Sequence, residues 1–222
     1  MKGVIFDVDG VIVDVRESYH YAIKHTAERF LGIEVSVEEV RHIKFSKGIN
    51  NDYLATREVI RHFGKDANIE EIIEVFNEIY KKLRDKEKLI LSKEFFLELK
   101  SKGYPLGILT GRPREDLEYT FNKFSLFDCF DFIVDDDTIP MEELRKPHPF
   151  ALHFCIEGMS LDACVYVGDS RADWEMVEGY KKMYEKPVRY IHFGENISIE
   201  GIKTVKTPQE LSLALQEALR LL

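Results

Sequence analysis

The sequence predicts an α/β fold, a parallel sheet buried between helices, on three observations. Five short β-rich segments, Gly3–Val8, Pro105–Thr110, Phe130–Val134, Ala163–Val167 and Val188–His192, are nearly continuous apolar runs. Such runs belong to strands covered on both faces, whereas a half-exposed strand alternates. Helical patterns separate the later segments, as crossovers between parallel strands require. Asp7, Thr110, Asp135 and Asp169 stand at the carboxyl ends of four segments, where open parallel sheets carry their function.

The interval between the first two segments is of another kind. Residues 15–90 hold helical patterns and no convincing strand. Tyr19, Ala22, Ile23, Thr26, Ala27, Phe30 and Leu31 share one helical face, with Gly32 as the C-terminal cap. Ser36 and Glu39 have the spacing of a capping box. Ile69, Ile72, Ile73, Phe76, Ile79, Tyr80 and Leu83 form another stripe behind Asn68 as N-cap. An insertion of this length exceeds a loop. It reads as a small helical lobe between residues 1–14 and 91–222. Thr207, Pro208 and Glu210 then open a capped amphipathic helix.

Composition narrows the function classes. The chain has 222 residues, 45% of them hydrophobic, enough for one large domain or a core plus a smaller lobe. A net charge of −9 excludes a broad nucleic-acid surface, which needs a basic stripe. An anionic substrate then requires local positive charge or a metal. Cys129, Cys155 and Cys164 form no C-x-x-C pair and read as reduced core thiols. No stretch approaches the roughly 20 apolar residues of a membrane span, and with the first residues running straight into the opening strand no signal peptide is expected. The expected setting is the cytoplasm, with no membrane partner.

Four segments carry chemistry. In VIFDVDG, Asp7 and Asp9 lie two apart on an extended strand and so share a face, and Gly10 lets the chain turn close to a ligand. In ILTGRP, Thr110 ends a strand and Gly111 frees the turn, so a hydroxyl, backbone N–H groups and a helix start form a phosphate cradle. Thr110 is equally readable as an N-cap alone. Arg112 opposes the helix dipole there, which suits either a bound anion or a solvated surface position. In KPHP, Lys146 precedes a loop-fixing proline; taken alone, a lysine is surface decoration. In YVGDSRADW, Asp169 and Asp173 share one side of a helix start, and N-capping by Asp169 or Ser170 explains only one of the two aspartates.

In order, Asp7-x-Asp9-Gly10, Thr110, Lys146 and Gly168-Asp169-x-x-x-Asp173 resemble the motifs of the haloacid dehalogenase-like hydrolase superfamily. The likeness is to its phosphatase branch with a helical cap inserted after the first motif. The resemblance implies a Rossmann-like core whose five strands run 5-4-1-2-3, with residues 15–90 as the cap. It implies Asp7 as nucleophile, forming an aspartyl-phosphate, and Asp9 as general acid and base. It implies Mg²⁺ held by the Asp7 carboxylate, the Asp9 carbonyl and Asp169, with Asp173 completing or bracing the site. Thr110, the Gly111 amide and Lys146 then hold the phosphate oxygens.

Within that resemblance, Asp9 and Asp173 argue against dehalogenation, which needs neither a second acid nor a metal. A phosphonatase needs a Schiff-base lysine, and nothing marks Lys24, Lys44 or Lys47 for it. A phosphomutase on the same core and a catalytically silent interaction protein are the alternatives. No G-x-G-x-x-G follows the first strand, against a nicotinamide enzyme. The polar segment 44–57 resembles a cap loop that meets the leaving group, with Lys47 and Asn51 as recognition residues; a capped turn with solvated charges is the plain reading. The expected partner is a small phosphorylated metabolite, and the expected oligomeric state is monomer or homodimer.

Overall fold

The computed structural model describes all residues, 1–222. The chain opens with β1 (Lys2–Phe6) and β2 (Val13–Asp14), then four helices, α1 (Tyr19–Leu31), α2 (Val37–Ser46), α3 (Asp52–His62) and α4 (Ile69–Leu83). It continues through β3 (Lys88–Leu89), α5 (Lys93–Ser101), β4 (Leu106–Leu109), α6 (Arg114–Lys123), β5 (Phe132–Val134) and α7 (Pro149–Gly158). The last elements are β6 (Ala163–Gly168), α8 (Arg171–Met183), β7 (Val188–Phe193), β8 (Thr204–Val205) and α9 (Pro208–Arg220). No helix is long and apolar enough to cross a membrane.

Two compact units emerge, one of Met1–Val13 with Leu89–Leu222, the other of Asp14–Lys88. The first holds a six-stranded sheet of order β5-β4-β1-β6-β7-β8. Every named pairing in it is parallel. The fold class is therefore the expected α/β sheet with the 5-4-1-2-3 order, extended by β8 at one edge. Two residues of β8 are too few to register as a strand in a hydropathy pattern.

Burial follows the apolar runs. All of β4 and β6 is buried, and β1 is buried after Lys2. Alternation sends neighbouring side chains of β1 to opposite faces. Ile5 joins a core with Leu152, Cys155 and Ile156 of α7 and Met176, Val177 and Tyr180 of α8. Phe6 meets Phe96 of α5 edge-on at 5.5 Å, within an aromatic cluster that reaches Phe130 and Phe121. All three cysteines are buried free thiols.

Register sets the site. Phe6 pairs with Ile108 on one side and with Val167 on the other. The residues that follow, Asp7, Thr110 and Asp169, thus emerge together at the carboxyl edge. The chain winds outward from β1 through β4 to β5, then returns to β6 on the other side of β1, so the strand order reverses beside Asp7. Such a switch point leaves a crevice.

The second unit is four helices around α1. Gly32 ends α1 in the left-handed conformation, φ 73°, and Ser36 with Glu39 forms a complete capping box on α2. Tyr19 stacks on Tyr80 with 4.3 Å between ring centroids. The buried Glu87 accepts hydrogen bonds from Ser18 Oγ at 2.9 Å and Tyr80 Oη at 3.0 Å, which satisfies a carboxylate that water does not reach.

The central packing carries a testable consequence. Ile5→Ala removes a fully buried side chain and is expected to cost about 2–5 kcal/mol in urea unfolding. Leu213→Ala, at a residue 68% exposed, is expected to stay within about 0.5 kcal/mol.

Candidate active site

Lys146 is the centre of the side-chain cluster at the carboxyl edge of the sheet. Its Nζ lies 2.8 Å from Asp7 Oδ2 and 2.7 Å from Asp173 Oδ1, with almost no exposure. The surface reading of an isolated lysine fails here because two carboxylates accompany the ammonium into the interior. The loop that brings it there is held by Arg145, whose Nε donates to the Ile139 carbonyl at 2.8 Å and whose Nη1 is 3.1 Å from Asp136 Oδ2. Beyond it, His148 caps α7, its Nδ1 accepting from the Phe150 amide at 3.1 Å.

Asp7 extends β1, its amide donating to the Val167 carbonyl at 2.9 Å. Its Oδ1 accepts from the Val8 amide at 2.7 Å. Asp173 is the most heavily bonded carboxylate of this group. Oδ1 accepts from Lys146 and from Tyr166 Oη, both at 2.7 Å. Oδ2 accepts from the Asp169 amide, the Ser170 amide and Ser170 Oγ at 3.2, 3.0 and 2.6 Å. Ser170 and Asp173 also form the capping box of α8, so the helix cap and the bond to Lys146 are the same carboxylate. Asp169 is less committed, with Oδ2 accepting from Asn196 Nδ2 at 2.8 Å.

Carboxylate oxygens of Asp7, Asp169 and Asp173 can all lie within 4.8 Å of one another. Two glycines allow this. A Cβ at Gly10, whose φ is +77°, would collide with the Asp169 carboxylate, and one at Gly168 would collide with Asp173. The donors are hard oxygens of one sign, the set that suits Mg²⁺.

Electrostatics record the crowding. Burial pushes the Asp7 carboxyl up to about 7; Lys146 pulls against that, while Asp173 and Asp9 push further up. Burial, then the charges of Asp7 and Asp173, also holds Asp169 well above the ordinary carboxyl range. Burial alone would raise Asp173 too, but Lys146 and the bonds from Ser170 and Tyr166 outweigh it and hold Asp173 low. For Lys146, burial opposes the ammonium, yet Asp173 and Asp7 prevail and raise its pKa.

Thr110 follows β4, its amide donating to the Val134 carbonyl at 2.9 Å and its Oγ1 accepting from the Arg112 amide at 3.1 Å. α6 begins only at Arg114, with Pro113 in the N-cap position. Thr110 therefore does not cap that helix, and its hydroxyl proton is not used by the Arg112 bond. Gly111 lies between Thr110 and Arg112 at the same strand end. Arg112 departs from the surface reading: its side chain is fully buried, and Nε donates to Asp9 Oδ1 at 2.6 Å. Asp135 is also buried, held by Arg114 and Thr138.

Lys47 and Asn51 belong to the second unit. Lys47 Nζ pairs with Glu58 at 2.6 Å, and the Asn51 side chain caps α3 by accepting from the Leu54 amide at 3.0 Å. Sequence reading missed Asn196 and Tyr166. Asn196 lies in a loop 27 positions beyond Asp169 with no motif around it. Tyr166 had a signal, a hydroxyl inside an otherwise apolar strand, which demands a buried partner.

The parallel α/β core thus gathers buried carboxylates, a lysine and a hydroxyl at one strand edge. The haloacid dehalogenase-like hydrolase profile matches residues 4–180, and the chain belongs to that family. It is 27% identical over 188 residues to imidazoleglycerol-phosphate dehydratase of Phytophthora nicotianae, spanning 78% of this chain and 40% of that longer protein. It is 23% identical over 181 residues to phosphoglycolate phosphatase of Colwellia psychrerythraea, covering 77% and 76% of the two chains. The solved structure of phosphatase Tt82 from Thermococcus thioreducens superposes with a TM-score of 0.67 at 27% identity, covering 99% of each chain.

The raised Asp7 carboxyl sets a pH dependence. Between its ordinary value of 3.8 and about 7 the folded state keeps a proton that the unfolded state has lost, so Asp7 takes stability away as pH rises. In EDTA, the stability of Asp7→Asn relative to wild type is therefore expected to rise across this window, by up to about 1.4 kcal/mol per pH unit. Denaturant unfolding at several pH values checks it; a difference independent of pH contradicts the raised carboxyl.

Proposed function

We propose that this chain is a Mg²⁺-dependent phosphatase that hydrolyses a small phosphate monoester through an aspartyl-phosphate on Asp7. The observation that carries the reading is the buried grouping of Asp7 with Lys146, Asp169 and Asp173. The family membership and the phosphatase among its relatives support it.

Asp7 attacks phosphorus with one carboxylate oxygen, and the bond from phosphorus to the ester oxygen breaks. Asp9 gives its proton to the departing alkoxide. Water then attacks the phosphorus of the aspartyl-phosphate, Asp9 takes the proton, and phosphate leaves with Asp7 restored. Lys146, the Thr110 hydroxyl and the Gly111 amide hold the phosphate oxygens while charge spreads over them.

Asp7 and Asp169 carboxylates and the Asp9 carbonyl are the groups that would hold Mg²⁺, and Asp173, with five donors on its oxygens, braces them. When bound, Mg²⁺ supplies positive charge that offsets repulsion between carboxylates and phosphate. Asn196 orients Asp169 toward this role, as an outer-shell partner does.

We further assign residues 15–90 as a cap that recognises the leaving group through Lys47 and Asn51, a small phosphorylated metabolite as substrate, and the cytoplasm as the place of action. Closure of such a cap excludes water from the reaction.

Phosphate release from a panel of monoesters, with Mg²⁺ and with EDTA, tests the proposal. Turnover is expected only with metal and is expected to vanish in Asp7→Asn; comparable turnover by that variant would falsify the nucleophile assignment. Interconversion of phosphosugar isomers without free phosphate favours the mutase instead. Asn51→Ala is expected to raise KM for the best ester without changing hydrolysis of p-nitrophenyl phosphate, while costing ~1 kcal/mol as a lost N-cap. Equal effects on both esters count against recognition by Asn51.

A further inference from the structure

Asp9 and Arg112 form an ion pair that neither the nucleophile nor the acidic group explains. The Arg112 side chain has no exposure, whereas Asp9 is 27% exposed. A buried guanidinium has to be bonded, and its planar fork fixes direction as well as distance. Here Nε donates to Asp9 Oδ1 at 2.6 Å, and Nη1 donates to Thr120 Oγ1 on α6 at 2.8 Å. The backbone of Arg112 is tied as firmly: its amide donates to Thr110 Oγ1, and its carbonyl accepts from the Asp136 amide at 2.9 Å.

Arg112 is thus an anchor held by α6, by Thr110 and by the strand end beyond β5. Asp9 lies on the loop after β1, just before the left-handed Gly10. A short side chain on such a loop has several staggered rotamers. A charge-assisted bond to a fixed donor selects one of them.

We propose that Arg112 is the positioning residue of Asp9: it holds the carboxylate where a proton can pass to the leaving oxygen and, later, from water. It does not hold the substrate phosphate, because its Nε and Nη1 are directed to Asp9 and Thr120. This inference rests on Asp9 being the acid–base group. Thr120 belongs to the same device, since its hydroxyl orients the guanidinium plane.

A leaving-group comparison tests it. An alkyl phosphate needs a proton on its departing oxygen; p-nitrophenyl phosphate departs without one. Arg112→Met is expected to lower kcat/KM on the alkyl ester by ~10–100-fold, part of the 10²–10⁴ that a positioned acid supplies. On the nitrophenyl ester kcat/KM, which reports only the transfer to Asp7, is expected to fall only slightly. Its kcat also registers the Asp9-assisted attack of water on the shared aspartyl-phosphate. Arg112→Lys is expected to restore part of the loss. If the buried substitution prevents folding, Thr120→Val, which keeps size and removes only the hydroxyl, is expected to show a smaller loss of the same selectivity. In an Asp9→Asn background neither substitution is expected to lower kcat further.

Three kinetic results overturn the inference. A raised KM on both esters that persists with Asp9→Asn makes Arg112 an anion ligand. Equal losses of kcat/KM on both esters with a lowered Tm make it structural only. A gain in kcat on the alkyl ester makes the pair a restraint on Asp9. A wild-type protein that hydrolyses neither ester defeats the phosphatase reading itself. A crystal structure of Arg112→Met then decides the pairing alone: a displaced Asp9 carboxylate beside unmoved Asp7 and Asp169 is expected, and an unmoved Asp9 overturns it.

Discussion

One ammonium group facing three buried carboxylates is the constraint on which the site depends. Lys146 bridges Asp7 and Asp173 at 2.8 and 2.7 Å, while Asp169 adds a further negative group nearby. Buried charges of one sign are tolerated only when compensated. The imbalance is visible in the raised Asp7 and Asp169 carboxyls, and a divalent cation would relieve it. Asp173, saturated with donors, shares the Lys146 ammonium with Asp7, while Asp169 is bonded by Asn196 instead.

The sheet delivers this arrangement with little local specialisation. Parallel pairing of β1 with β4 and β6 places Asp7, Thr110 and Asp169 at one edge, where the strand order reverses. Missing side chains at Gly10 and Gly168 let the acidic groups approach. One carboxylate does double duty: Asp173 caps α8 and fixes Lys146, so helix start and charge balance are coupled. A loop residue, Asn196, reaches back to Asp169 from beyond β7.

Much of this was legible beforehand, for physical reasons. Continuous apolar runs announced the buried strands because a strand covered on both faces has no polar side to show. The capping box of Ser36 and Glu39, and Gly32 after α1, are local hydrogen-bond chemistry and needed no tertiary context. The ordered motifs carried Asp7, Asp9, Thr110, Lys146, Asp169 and Asp173 into one family. Legibility ended where a side chain's partner lies far along the chain. Arg112 looks like any arginine at a helix start until Asp9, 103 positions away, is brought to it. Tyr166 and Asn196 gain meaning only from the carboxylates they meet, and the two residues of β8 carry no periodicity.

In the proposed reaction Asp7 itself becomes phosphorylated. Acid quench during turnover with Mg²⁺ and the best monoester, followed by borohydride reduction, converts an acyl-phosphate to the alcohol, and peptide mass spectrometry locates it. The account predicts homoserine at position 7, dependent on both substrate and metal. Sustained phosphate release with no modification at Asp7, or with the modification on another carboxylate, would contradict it.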